Sequence, residues 1–260
     1  MDYSRYLQRI KFSDRAQADD PTLKSLHEHH VMFVPFENLD IHYRKIFDLE
    51  IENIFRKVVE NVRGGFCYEL NYLFNSLLND IGFSSKIISS RVFDSSGVLG
   101  PEFDHMSIHV RTDKDYLADV GFGDSFREPL RLDHRGEQEQ NGEYYRIVDA
   151  EEHHLVLERR ESEKWKPQYR FTLEPYELSD FDEMCRYHQT SPESPFTQKR
   201  VCTRATPEGR ITISNMRAIV TERGVKQERE LSSHEEWTAA LREYFGIELN
   251  QSELPGKLEL

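Results

Sequence analysis

The sequence predicts an α+β fold in which helices come first, strands second and a smaller mixed unit last. Three observations predict it. Up to about residue 84, apolar side chains recur at spacings of three and four, the period of a helix with one buried face. From Lys86 the period drops to two, and short strands alternate with polar turns, as in an antiparallel sheet or small barrel. Strands and helices do not alternate as they do in βαβ units, and no Gly-rich phosphate loop of the Walker or dinucleotide type is present.

In the helical part, Tyr3 to Ile10 reads as a short amphipathic helix. A second helix starts at Asp20-Pro21, with Asp20 as N-cap and proline at the first helical position. Leu23, Leu26 and His30 carry it on until Pro35 ends it. From Leu49 to Val62 a third helix buries one stripe: Ile51, Ile54, Phe55, Val58, Val59 and Val62. The fourth follows Arg63-Gly64-Gly65-Phe66-Cys67. Its stripe is Leu70, Leu73, Phe74, Leu77, Leu78 and Ile81, and Gly82 closes it.

The strand part begins with Lys86 to Phe93 and a loop rich in Asp, Ser and Gly, Asp94 to Asp104. His105 to Thr112 alternates, with Met106, Ile108 and Val110 on one face and His105, Ser107 and His109 on the other. A turn at Thr112 to Asp115 leads to a partner strand, Tyr116 to Phe122. Further strands are expected at Tyr144 to Val148, Leu155 to Arg159 and Gln168 to Leu173, then a helix around Asp180 to Thr190 and a linker at Ser191 to Pro195. The last unit has strands near Val201 to Ala205, Arg210 to Ser214, Met216 to Thr221 and Lys226 to Glu230. Its helix opens on a capping box, Ser233 and Glu236, with Trp237, Leu241, Tyr244 and Phe245 on the apolar face; an irregular tail follows Asn250. The units expected are thus 1–84, 85–190 and 191–260.

Composition narrows the function. The 260 residues carry a net charge of −13, which argues against a nucleic-acid footprint and against an anionic membrane surface. No apolar run approaches the roughly 18–20 residues that span a bilayer, and the N-terminus lacks the apolar stretch of a secretory signal. Cys67, Cys185 and Cys202 are too few and too irregularly spaced for a disulfide framework or a metal site, so a reducing cytoplasm and no bound metal are expected.

The chemistry centres on Cys67. In the first turn of a helix, free N–H groups and the positive end of the dipole favour an anion, and a thiolate is one. Gly64 and Gly65 would let the chain turn tightly and a substrate approach it. A cysteine nucleophile needs a base, and the base needs a group to hold its tautomer. His105 and Asp119 supply them from neighbouring strands: any register pairing odd positions with odd positions sets both on one face. Asp119 also interrupts an apolar strand, where a carboxylate is unfavourable without a partner. Taken singly, each has a plainer role: Cys67 as a small hydrophobe, His105 as a buried barrel histidine, Asp119 as a cap on the Gly-Phe-Gly turn. Glu69 and Asn71 read as structural, and Cys185 and Cys202 as packing residues.

RGGFCYELN at Arg63 to Asn71, HMSIHV at His105 to Val110 and ADVGFG at Ala118 to Gly123, in that order, resemble the arylamine N-acetyltransferases. VPFENLDI at Val34 to Ile41 is similar to that family's N-terminal signature, and Ser194 to Ile213 to its C-terminal segment, so the resemblance spans about residues 3–247. It implies a helical bundle, a β-barrel and an α/β lid around a cysteine-protease-like core. It implies Cys67 as nucleophile, His105 as base and Asp119 as orienting acid, with acetyl-CoA as co-substrate and a small arylamine or arylhydrazine as acceptor. Phe36, Phe122 and Phe126 would line the acceptor pocket. Asp124 departs from the small or basic residue common at its position, which bears on acceptor preference. Lys199, Arg200 and Arg204 form a basic cluster suited to the CoA phosphates. The same scaffold also fits an amide synthase or a thiol hydrolase, and a non-enzymatic binding scaffold is the third reading. Finally, the resemblance brings Glu37 and Arg63 together, and a buried pair there would be bidentate and fix the Cys67 loop.

Overall fold

The computed structural model describes residues 1–249 of the chain. The helical part holds α1 (Tyr3–Arg9), α2 (Asp20–Phe33), the short α3 (Leu39–His42), α4 (Ile51–Phe55) and α5 (Cys67–Ile81). The N-cap of α2 is Asp19, one residue before the expected one: its carboxylate accepts from the Thr22 N–H at 2.9 Å, while Asp20 turns outward to Thr112, Lys114 and Tyr116. After α4 the backbone widens into a π turn, Arg56–Glu60, in which the Asn61 N–H reaches back five residues to the Arg56 carbonyl. The extra residue per turn shifts the phase of the stripe. Val58 and Val59 stay buried, but Val62, expected on the stripe, is expelled to the surface with φ 54°.

α5 keeps the expected phase. Leu70, Leu73, Phe74, Leu77 and Leu78 are all fully buried, each contributing roughly 1.5–3 kcal/mol, and the helix packs on two barrel strands, Ser84–Val92 and His105–Arg111. Gly82 ends it at φ 106°.

The barrel sheet runs β5-β4-β3-β2-β9-β8-β7-β6. Its strands are β2 (Ser84–Val92), β3 (His105–Arg111), β4 (Asp115–Ala118), β5 (Leu130–Arg131), β6 (Gln138–Gln140), β7 (Glu143–Asp149), β8 (Leu155–Glu161) and β9 (Lys164–Pro175), paired antiparallel. Between its two edge strands the ladder is replaced by side-chain amides. Gln138 accepts from the Arg131 N–H at 2.8 Å and donates to the Arg131 carbonyl at 3.0 Å. Gln140 accepts from the N–H groups of Arg127 and Glu128, each at 2.9 Å, and donates to the Glu128 carbonyl at 2.8 Å.

α6 (Asp182–Thr190) follows, and the expected linker is irregular from Ser191 to Ser194, where Ser194 caps a short helix, α7 (Pro195–Gln198). The second sheet runs β1-β10-β11-β12-β13, with β10 (Val201–Thr206), β11 (Gly209–Ser214), β12 (Arg217–Glu222) and β13 (Val225–Glu230). Its first strand, β1 (Phe36–Glu37), comes from the helical part and pairs Phe36 with Thr203. α8 (His234–Phe245) buries Trp237, Leu241 and Phe245 against this sheet. Half of the expected capping box forms: Ser233 accepts from the Glu236 N–H, but the Glu236 carboxylate takes the Ser232 N–H. The expected irregular tail lies outside the described residues. Among those residues no helix is long and apolar enough to cross a membrane.

Candidate active site

Cys67 is the first residue of α5, after an N-cap at Phe66, and is buried. The loop before it is fixed by close backbone packing. A Cβ on Gly64 would lie 2.2 Å from the Pro35 carbonyl oxygen, and Gly65 bridges to Phe36 in parallel. Gly64 therefore admits the β1 segment and Gly65 the side chains of Glu69 and Leu70, rather than a substrate, and neither is left-handed.

A buried network of five charges holds the same loop. Arg63 donates from Nε and Nη2 to the single oxygen Oε1 of Glu37, at 3.0 and 2.6 Å, and from Nη2 to Asp40 at 3.0 Å. The pair is thus convergent, not the expected two-oxygen fork, because Glu37 Oε2 is occupied by the Leu39 N–H. Lys57 bridges Asp40 and Glu69, both at 2.8 Å. Glu69 in turn accepts the Phe66 N–H at 2.8 Å, at the cap of the Cys67 helix. Burial opposes the charge on Asp40, but Lys57 and Arg63 outweigh it and draw that carboxyl down to about 2.

His105 and Asp119 meet. Ile108 lies opposite Ala118 and His109 opposite Leu117, so odd positions do pair with odd. The backbone leaves the ladder after Ala118, so Asp119 stands on a turn just past the strand that was expected to contain it. His105 Nε2 is 2.7 Å from Asp119 Oδ2, so that nitrogen carries the hydrogen and Nδ1 is left for a second partner. Asp119 is fully enclosed by donors. Oδ2 also accepts from the Tyr169 hydroxyl at 3.0 Å, and Oδ1 accepts from Asn71 at 2.9 Å and the Gly121 N–H at 3.0 Å. Burial opposes its charge, yet His105 and these donors hold the carboxyl below its usual range.

The turn itself is held by His27 of α2, whose Nε2 accepts the Asp119 N–H at 3.0 Å while Nδ1 donates to the Arg127 carbonyl at 2.6 Å. That arrangement requires the neutral ring, and burial draws His27 down to about 4. Asn71, Tyr169 and His27 were not singled out by sequence as supports of Asp119. Asn71 carried one available sign: it is a polar residue on the apolar stripe, one turn after Cys67.

Cys67 and His105 open into one cleft of about 930 Å³, lined also by Phe36, Phe122, Phe196 and Tyr187. Two expected pocket residues, Phe36 and Phe122, line it. Phe126 does not; it lies in the barrel core, stacked on His27 at 5.5 Å and edge-on to Tyr145. Asp124 lines the cleft, paired with Arg210 at 2.8 Å and Arg159 at 3.2 Å. Of the expected basic cluster, Arg204 is committed to the carbonyls of Tyr244, Met32 and Ala205, and Arg200 stacks on Trp237 at 5.0 Å. Among the described residues no group of His, Cys, Asp or Glu could hold a metal ion.

Burial pushes the Cys67 thiol well up, and Cys185, Asp104 and Asp119 add to the push, against the Tyr68 N–H. A lone thiolate is therefore disfavoured in spite of the helix terminus. Chemically the arrangement suits proton exchange between a buried thiol and an imidazole whose far side is anchored by a carboxylate.

A family model described as N-acetyltransferase matches residues 20–254. Among curated proteins the chain is similar to arylamine N-acetyltransferase 2 of Mus musculus, 32% identical over 98% of this chain and 97% of the relative. Among solved structures it is similar to the arylamine N-acetyltransferase of Mycobacterium abscessus, with TM-score 0.90 and 28% identity over 97% of this chain and 92% of that one. It is also similar to one from Bacillus cereus described as having a unique Cys-His-Glu catalytic triad, with TM-score 0.87 and 25% identity over 96% of this chain and 100% of that one. At the position facing the histidine, the present chain carries Asp119.

Proposed function

Because the chain belongs to the arylamine N-acetyltransferase family, and is thus a transferase, we propose that it carries acetyl from acetyl-CoA to a small arylamine or arylhydrazine through an acetyl-Cys67 intermediate. The observation that carries the reading is the 2.7 Å contact between His105 and Asp119 in the cleft that also holds Cys67. His105 Nδ1 takes the Cys67 proton as the sulfur attacks the thioester carbonyl. Collapse of the tetrahedral adduct breaks the bond to the CoA sulfur, which leaves with the proton from His105. The neutral amine then attacks acetyl-Cys67, His105 takes its proton, and the Cys67 sulfur departs, giving ping-pong kinetics. Asp119 supports the imidazolium formed in both halves. The Cys67 N–H, at the start of α5, is the donor we assign to the developing oxyanion.

The test is intact-mass analysis after acetyl-CoA is added without acceptor. One acetyl adduct on Cys67 is expected, lost when an arylamine or hydrazine follows. Cys67→Ser should carry none, because a hydroxyl is a far weaker nucleophile here. An adduct that persists in Cys67→Ser, or no adduct on the native protein, overturns the assignment.

A further inference from the structure

The cleft contains a second histidine–carboxylate pair that the transfer chemistry does not use. Asp104, the residue before His105, and His188 of α6 both line it. His188 Nε2 is 3.2 Å from both the carbonyl oxygen and Oδ1 of Asp104. Both partners are acceptors, so Nε2 carries the hydrogen, and Nδ1 faces the Ser194 hydroxyl at 3.3 Å. The order Ser194, His188, Asp104 is not a second nucleophilic centre. Ser194 is fully buried, and its hydroxyl caps α7 at the Phe196 N–H. The ring of His188 is packed among Phe66, Tyr68 and Phe196, and the Tyr68 hydroxyl holds the Asp104 carbonyl at 3.2 Å. So His188 holds the carboxylate and Tyr68 the backbone of one acidic residue in the cleft that also holds Cys67.

That carboxylate is incompletely satisfied. Asp104 Oδ2 takes no hydrogen bond from the described residues, and the side chain keeps 18% of its surface exposed. Of the other lining carboxylates, Asp94 is exposed to solvent, with Oδ1 accepting from the N–H groups of Ser96 and Val98, and Asp124 is paired with Arg210, the one lysine or arginine lining the cleft among the described residues. Asp104 therefore leaves a negative charge in a mostly apolar cleft, where charge-assisted hydrogen bonds are strong. Its charge also contributes to the upward push on the Cys67 thiol, in keeping with its nearness to the nucleophile.

We propose that Asp104, held by His188, determines acceptor specificity by binding a basic, N–H-bearing substituent. The enzyme then favours arylamines and arylhydrazines with a second cationic group over those with a carboxylate. This rests on the acetyl-transfer reading, and the test separates the two. Acetyl-Cys67 is formed with acetyl-CoA, and its decay is followed with the 3- and 4-isomers of aminobenzamidine, aminobenzamide and aminobenzoate. Intrinsic nucleophilicity cancels when each acceptor is compared between the native protein and Asp104→Asn. Relative to the neutral amide, whose change carries any common effect on Cys67, the substitution should lower kcat/KM for the better amidine about tenfold and raise it for the benzoate severalfold. Asp104→Glu, which keeps the charge, should keep the order of preference. In the native protein, added salt should slow the amidine and not the amide. Equal changes for all three acceptors, or none, overturn the proposal. Binding of benzamidine against benzoate to the unacetylated protein, measured by calorimetry, checks it without any acetyl transfer. A preference for benzamidine there supports the Asp104 assignment even if transfer fails, and its absence refutes it even if transfer proceeds.

Discussion

Asn71 bonds to both sides of the turn that carries Asp119: its Nδ2 donates to Asp119 Oδ1 at 2.9 Å, and its Oδ1 accepts from the Val120 N–H at 2.9 Å. Since Asn71 sits on the Cys67 helix, one side chain ties the cysteine-bearing helix to the turn that faces His105. Asp119 meets only donors: His105, Tyr169, Asn71 and the Gly121 N–H. Asp119→Asn must turn its amide N–H groups toward one pair of them and loses the charge that supports imidazolium. The acetylation rate of Cys67 should fall at least about a hundredfold. Stopped-flow acetylation at the native rate would reduce Asp119 to a turn residue.

Gly121 admits that same junction. A Cβ there would sit 2.6 Å from Asn71 Nδ2 and 2.8 Å from the Cys67 carbonyl oxygen. Gly121→Ala should therefore push the Asp119 turn away from α5. About 1–3 kcal/mol of stability should be lost, as is usual for overpacking, together with acetylation activity. Urea melts and adduct formation measure the two; a variant native in both would show that the turn has slack.

The charges under the Cys67 loop give a third expectation. Glu37 is 1% exposed and Arg63 8%, so solvent offers little screening. Glu37→Gln or Arg63→Met strands a buried charge and should be destabilising by roughly 3–5 kcal/mol. Arg63→Lys should also be destabilising, because one ammonium cannot reproduce the Nε and Nη2 contacts made to Glu37 and Asp40. Melts that shift by less than about 1 kcal/mol, the range of an exposed pair, would show that something else holds the loop.

Acid should weaken the fold through His27. The unfolded ring binds a proton near its ordinary value of 6.5, whereas burial draws the folded ring down to about 4. Between those values the unfolded state holds more protons, so stability is complete above pH 6.5 and is lost as pH falls toward 4. The loss reaches roughly 3 kcal/mol. His30, buried and drawn well down, acts in the same direction. Denaturant melts from pH 7.5 to 4.5 should show this slope, and His27→Gln should flatten it. A native slope as flat as that of the variant would contradict the account.

The parts legible in sequence were those with a local period. Leu70 to Leu78 announced the Cys67 helix because the residues that bury it lie within its own turns. The alternation around His105 set His105 and Asp119 on one face for any register pairing odd positions with odd, and the ladder has that parity. What could not be read depended on distant chain. Tyr169 and His27 reach Asp119 from β9 and α2, and no spacing encodes those meetings. The π turn after Phe55 was hidden for another reason: Val62 continues the 3.6-residue stripe on paper, and only the wider turn expels it. The family resemblance sets Phe126 in the pocket, yet its side chain enters the barrel core against His27 and Tyr145.

The glutamine closure of the barrel has a consequence for how the molecule meets its neighbours. At Arg131 and Glu128 both the N–H and the carbonyl are already answered by Gln138 and Gln140. An open sheet would present those groups as a template on which another chain could add a strand. Here two side chains of the same molecule occupy the template, so the seam is sealed against self-association without a continuous ladder. Those seals are single amides rather than a run of cooperative backbone pairs, so the seam is where the barrel wall should part first when it breathes.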